Sequence, residues 1–441
     1  MGRLIKRMNQ SLAYMDRAKQ VMPGGVTANI KYFEPHPIVM KKGHGAYLTD
    51  VDDNEYVDYL LSYGSLMLGH GHPVIKHAIQ SQLDKSGTWL FGTPHELEAD
   101  FGEKLKQYFP SMELLRYTNS GTEATLLALR LAATYTGKHK IAKFEGHYHG
   151  GYDQVLLSVD PDVNEAGPAE EPLSVPASKG VGAYHQDHTV ILPFNHSYAF
   201  ELLKHHRDEI GVVVLEPIQS GFIPAQKVFM EELHRLTKDL GIVLLFDEVK
   251  TGFRIGMGGA QGYYGIEPDL TALGKVIGAG FPMGVVGGKR EILMESAPVK
   301  NNATNLSSKD VLFHSGTYNG HPMILAAGLA TIQVLENEFD FVVMQTNELK
   351  QQLERLFATK GIAMQAIGIG AMFNIVFTEE KVTNYREYQM ADFRLRKDLD
   401  AHLLKEGIYA KPCNRYSLST QHGEKEIEKT VTAVTGFLHQ M

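Results

Sequence analysis

Between residues 114 and 246 the chain alternates short, largely apolar runs with longer stretches whose apolar positions recur every three to four residues. The runs at 114–118, 140–144, 211–215 and 242–246 have strand length. The stretches at 123–134 and 229–239 have helix length. Runs that are apolar almost throughout belong to strands covered on both faces. The pattern therefore predicts an α/β fold with a mostly parallel sheet between helices.

The flanks have other rhythms. Residues 38–61 carry turn signals at Gly43–Gly45 and at Asp52-Asp53-Asn54, which predict antiparallel β-structure. Helices are expected at 72–85 and at 95–108, the second opening behind Thr93-Pro94 and closing before Pro110. At the start, Leu4, Ile5, Met8, Leu12 and Met15 follow helical spacing, ahead of the breaker Pro23-Gly24-Gly25. Residues 159–189 show little periodicity and hold four prolines, the mark of a lid or a disordered loop. From Pro322 onward, helix-length stretches and a strand at 371–377 suggest a second, smaller α/β unit. The expected division is 1–65, 66–321 and 322–441.

Composition narrows the function. The 441 residues are 43% hydrophobic and carry a net charge of −8, enough for a large core. No basic block stands out, so nucleic acid is not an expected partner. No run approaches the ~18 apolar residues of a membrane span. The single cysteine, Cys413, rules out an intrachain disulfide and suits a reducing compartment. The N-terminal stretch lacks an apolar core followed by a cleavage site. A cytoplasmic location is the default expectation.

Candidate chemistry gathers at strand ends, where open α/β sheets place their ligands. Lys275 stands in the glycine-rich apolar run Pro268–Lys289, with no charge nearer in sequence than Asp269 and Lys289. A lysine held away from water loses proton affinity and becomes a nucleophile near neutral pH. Alone, the run fits better a lysine whose head reaches solvent. Asp247 ends one buried run, and Glu216 ends another. Ser120-Gly121-Thr122 opens a helix and offers N–H groups, hydroxyls and a positive dipole end, suited to one phosphate. A simple N-cap explains the same residues. Tyr148 sits among glycines in Phe144-Glu-Gly-His-Tyr-His-Gly150. His147 with His149, and His70 with His72, lack a completing Cys, Asp or Glu at a familiar ligand spacing, so no metal site is expected. A lysine, a strand-end aspartate, a phosphate turn and an aromatic platform together match the needs of pyridoxal 5′-phosphate (PLP). No complete GxGxxG stands between a strand and a helix, which argues against a nicotinamide enzyme.

Ordered motifs over some 300 residues carry a resemblance. They include Asn119-Ser120-Gly121-Thr122-Glu123-Ala124, Lys143-Phe144-Glu145-Gly146 with Tyr148-His149-Gly150, and Leu215-Glu216-Pro217. Phe246-Asp247-Glu248-Val249 with Thr251-Gly252-Phe253-Arg254 follows, then Leu273-Gly274-Lys275 and Gly316-Thr317. The chain resembles the class III (subgroup II) aminotransferases of PLP fold type I, within them most of all the glutamate-1-semialdehyde aminomutase group. The resemblance implies a large domain with a mostly parallel seven-stranded sheet, a smaller domain from both chain ends, and a homodimer with shared sites. It implies Lys275 as the Schiff-base lysine, Asp247 as partner of the pyridinium, and Ser120, Gly121 and Thr122 at the phosphate. Tyr148 would stack on the ring and Gln219 would meet its hydroxyl. Glu216 and Val249 would complete the pocket, and Thr317 would reach the neighbouring subunit's phosphate. It also makes 159–189 a mobile gate. Near the N-terminus the group usually reads GGVNSPVRAF, with an arginine for the substrate carboxylate. This chain has Ala28 at the serine position and Lys31 at the arginine position. Lysine lacks the bidentate fork, so Lys31 and Arg415 are alternative carboxylate ligands. The expected reaction is amino transfer between an amino acid, β-amino acid or amine and a keto acid, with the aminomutase reaction as the alternative.

Overall fold

The fold is that of a computed structural model, which describes residues 8–298 and 310–441. The first helix, α1 (Asn9–Ala18), buries Met15 and Ala18 but leaves Leu12 40% exposed. Leu4 and Ile5 lie outside the described residues. The expected β-structure is a meander of β1 (Met40–His44), β2 (Tyr47–Asp50) and β3 (Glu55–Asp58). Asp50 fixes its second turn by accepting bonds from the Asp52 and Asn54 N–H groups at 2.9 and 2.8 Å. Two helices follow, α2 (Pro73–Ser86) and α3 (Glu96–Tyr108).

The central sheet is built from β4 (Leu114–Thr118), β5 (Lys140–Phe144), β6 (Thr189–Leu192), β7 (Ile210–Leu215), β8 (Val243–Asp247), β9 (Leu270–Gly274) and β10 (Gly284–Gly288), in spatial order β4-β10-β9-β8-β7-β5-β6. Strand β10 is antiparallel to both neighbours, and every other pair is parallel. Strands β7 to β10 are buried along their whole length, as apolar runs between two helix layers must be. Helix α4 (Gly121–Thr136) covers one face, packing Leu127, Leu131 and Ala132 against Val214, Leu245 and Val286. Helix α5 (Tyr198–His205) and α6 (Lys227–Leu240) cover the other.

The C-terminal segment begins with α7 (Pro322–Ala358), a 37-residue helix. It continues with β11 (Gln365–Ile367), β12 (Met372–Val376), α8 (Tyr385–Gln389), α9 (Phe393–Lys405), β13 (Ile408–Tyr409), β14 (Tyr416–Ser417) and α10 (Glu424–Gln440). Strand β13 pairs with β3, so the two ends of the chain share one four-stranded sheet. One hydrophobic core runs from Val57 and Tyr59 through Phe101 and Leu273 to Phe373 and Tyr416. Among the described residues, no helix is long and apolar enough to cross a membrane.

The first part of the segment expected as a mobile gate, 159–189, is tied to α8. Tyr385 donates to Asp160 Oδ1 and to the Pro161 carbonyl at 2.8 and 2.7 Å. Arg386 grips both oxygens of Glu145 at 2.8 and 2.9 Å and also reaches the carbonyls of Ala166 and Gly167. Local periodicity carries no trace of these bonds, because they come from α8, some 200 residues downstream.

Candidate active site

The strand-end residues converge on a cavity of about 210 Å³ whose lining includes Thr122, Tyr148, Asp247, Val249, Lys250 and Lys275. Its floor is the mouth of α4. Ser120 caps that helix by accepting the Glu123 N–H at 3.1 Å, while Glu123 Oε2 accepts the Asn119 N–H at 2.8 Å. The N-cap explanation of Ser120 therefore holds. Gly121 and Thr122 line the cavity beyond it with the helix's positive end. The approach is close enough to demand glycine. A Cβ at Gly121 would lie 2.6 Å from Val249 Cγ1, and one at Gly284 would lie 2.2 Å from the Ser120 carbonyl oxygen.

Lys275 opens a short 3₁₀ turn directly after β9, with a left-handed φ of 48°. For a side chain with a Cβ that costs roughly 1–2 kcal/mol, and it turns the lysine into the cavity. Burial lowers its pKa to about 7, helped by the positive charges of Lys250 and Arg415 and opposed by Asp247 and Glu216. The amine is thus substantially neutral at physiological pH.

Asp247 is held at both oxygens. Oδ1 accepts the Val249 N–H at 3.1 Å, and Oδ2 bonds His149 Nδ1 at 2.8 Å. His149 steadies Asp247, and His147 accepts the Glu216 N–H through Nδ1 at 3.0 Å. His70 bonds Asp58. Among the described residues, no cluster of three or more metal-ligating side chains exists.

Glu216 accepts the Tyr148 N–H at 2.9 Å and pairs with Lys250, whose ammonium lies 5.6 Å from the centre of the Tyr148 ring. Gln219 donates to the Glu145 carbonyl at 2.8 Å, while its Oε1 is buried without a partner among the described residues. Arg415 is no surface residue. Its guanidinium donates to the Tyr63 carbonyl at 3.1 Å, its Nε is buried without a hydrogen-bond partner, and it forms no ion pair among the described residues. Gly221 leaves it room, since a Cβ there would lie 3.0 Å from Arg415 Cδ. Tyr63 belongs to a left-handed turn, Leu61 to Gly64, with φ from 46° to 87°. Its next carbonyl, that of Gly64, accepts from the buried Arg254. Lys31 is exposed and lines no part of the cavity, although the Tyr63 hydroxyl donates to the adjoining Ile30 carbonyl at 2.7 Å. Thr317 is exposed and also lies outside the cavity of its own chain.

The donor set fits PLP. A neutral lysine, an anchored carboxylate, a helix mouth free of side-chain bulk and a half-buried tyrosine line one space. Gln219 and Arg415, whose Oε1 and Nε are buried without partners, lie outside the cavity lining itself, although the charge of Arg415 reaches Lys275.

The model of the family "Aminotransferase class-III" matches residues 30–421. The glutamate-1-semialdehyde 2,1-aminomutase of Ignicoccus hospitalis is 39% identical over 438 residues, covering 97% of this chain and 98% of that one. The crystal structure of an omega-transaminase from Sphaerobacter thermophilus is 34% identical with a TM-score of 0.91, covering 97% of both chains. A solved transaminase with PLP bound is 31% identical, with a TM-score of 0.87 over 98% of both chains.

Proposed function

Because the chain belongs to the class III aminotransferases, PLP-dependent enzymes of fold type I, we propose that it exchanges an amino group between a carboxylate-bearing amino or β-amino acid and a keto acid, in two half-reactions at the Lys275 cavity. PLP supplies an electron sink for the bond broken at the amino-bearing carbon. The residues supply the rest. Gly121 and Thr122 would hold the phosphate, beside the cap residue Ser120. Asp247, steadied by His149, would keep the ring nitrogen protonated. Tyr148 and Val249 would enclose the ring, and the unpartnered Gln219 Oε1 would be available to the ring hydroxyl. Lys275 Nζ removes and returns the substrate proton, a task suited to an amine with a pKa of about 7.

Arg415 carries the substrate assignment. A half-buried guanidinium whose Nε has no hydrogen-bond partner and which forms no ion pair among the described residues, with Glu216 the carboxylate whose charge reaches it, leaves room for an anionic ligand. Residues 66–321 form the PLP-binding domain in this reading, and 1–65 with 322–441 close over it and bring Arg415. The active unit is a homodimer. That is supported by Thr317, exposed on its own subunit on the same loop as the exposed Phe313 and Tyr318. Light scattering of the purified protein tests it, and a monomer active at low concentration would refute it.

A second reading, the aminomutase reaction, is favoured by the 39% identity to the Ignicoccus hospitalis enzyme. The exposed Lys31 and the Ala28 position count against it. The two separate in a spectral half-reaction. The yellow holoenzyme receives glutamate, alanine, β-phenylalanine, an aryl amine or glutamate-1-semialdehyde, each alone. Bleaching by an amino or β-amino acid, with release of a keto product, is expected. A response to glutamate-1-semialdehyde alone, with 5-aminolevulinate formed and no keto acid required, would establish the second reading instead.

A further inference from the structure

Lys250 belongs to none of the roles above, yet it enters the same cavity as Lys275. It sits three residues beyond Asp247, on a turn whose direction is set by the buried Glu248. That carboxylate accepts bonds from Thr251 Oγ1 and from the N–H groups of Ala260 and Gln261. The turn sends the Lys250 side chain across the end of β7 to Glu216, leaving the lysine side chain 13% and the glutamate 2% exposed. Glu216 in turn holds the Tyr148 N–H, and the Lys250 ammonium faces the Tyr148 ring. One lysine thus joins three parts of the pocket wall.

We propose that Lys250 is a positioning residue of the cofactor site: its ion pair with Glu216 fixes Tyr148 at the cavity mouth and places a second positive charge beside the Lys275 nitrogen. The inference rests on the PLP reading above. The charged groups facing Lys275 are Asp247 from the end of β8, Lys250 from the turn after it, Glu216 from just past the end of β7, and Arg415 from the approach to β14. Those facing Lys250 are Glu216, the Tyr148 ring, Lys275 and the buried His147. Lys250 disfavours a proton on Lys275, and it also masks Glu216, which favours one. Removing Lys250 therefore acts twice in the same direction.

The test is a spectral pH titration of the purified holoenzyme without substrate, following the yellow band of lysine-bound PLP, whose intensity reports the proton on the Lys275 nitrogen. In Lys250→Met the midpoint is expected to rise by about one pH unit. Lys250→Gln should show a similar rise, and Lys250→Arg, which keeps the charge, should restore the wild-type midpoint. A folded Lys250→Met or Lys250→Gln holoenzyme whose midpoint stays within about 0.2 unit of wild type would overturn the proposal. So would a rise in Lys250→Arg equal to that in Lys250→Met, since the charge would then be irrelevant. Failure of the wild-type protein to form the yellow band with PLP would instead sink the cofactor reading itself.

Discussion

A lysine kept neutral for chemistry should weaken the fold that holds it, and for Lys275 the cost can be worked out. Its pKa falls from 10.5 to about 7 in the folded, cofactor-free protein. At about 1.4 kcal/mol per unit, the full penalty approaches about 5 kcal/mol. Lys275 is only partly buried by surface and water can enter the cavity, so screening brings the expected figure nearer about 2–3 kcal/mol. The sign follows from proton counting. Between pH 7 and 10.5 the unfolded chain holds a proton on this lysine and the folded chain does not, so stability gains with rising pH. The penalty is complete below pH 7 and vanishes above 10.5. Lys275→Met, compared with wild type in the cofactor-free state at fixed protein concentration, should unfold at a higher urea midpoint at pH 6.5. The gap should close steadily toward pH 10. Urea midpoints at five pH values measure it without assuming a two-state transition. A variant less stable than wild type at pH 6.5, or a gap that does not change with pH, would refute the assignment of Lys275 as an enclosed, deprotonated amine.

Three other outcomes follow from the same geometry. Asp247→Asn cannot hold a proton on the ring nitrogen. It should still bind PLP but slow the first half-reaction by at least about 10²-fold in stopped-flow absorbance; a loss under about fivefold would remove Asp247 from the chemistry. Gly121→Ala sets a Cβ 2.6 Å from Val249 Cγ1 at the phosphate end. Retention of PLP on dialysis should weaken by about tenfold or more, the effect of roughly 1–3 kcal/mol of overpacking. Arg386→Ala frees residues 159–182 and leaves the Glu145 carboxylate, 6% exposed, without its partner. Limited proteolysis should then cut within that segment, and stability should fall by about 3 kcal/mol; an unaltered digestion pattern would show that Tyr385 alone secures the loop.

What the sequence made legible is what local chemistry writes into it. Near-continuous apolar runs announced β5, β7 and β8 to within two residues, because a strand covered on both faces has no room for polar alternation. Lys275 and Asp247 could be picked out because each interrupts or ends such a run. Strand β10, Gly284–Gly288, escaped for the opposite reason. Its glycines are chosen by contact, Gly284 by the Ser120 carbonyl and Gly287 by Met112, and not by strand propensity. The electrostatics escaped more completely. Lys250 was one lysine among many until the Glu248 anchor aimed it across β7, although a charge three residues past a strand-end aspartate was a signal available to be read. Arg415 and Tyr63 are some 350 residues apart, joined by a bond from guanidinium to carbonyl that only the closed fold creates. The left-handed turn at Leu61–Gly64 makes that bond possible by presenting the Tyr63 and Gly64 carbonyls to two arginines, the half-buried Arg415 and the buried Arg254. Burial, and after it the charge of Arg415, lower the Arg254 pKa to about 9. Two guanidiniums that repel each other are more tolerable if an anion joins them. That charge imbalance, which no local pattern encodes, is the reason to expect a carboxylate on both the donor and the acceptor.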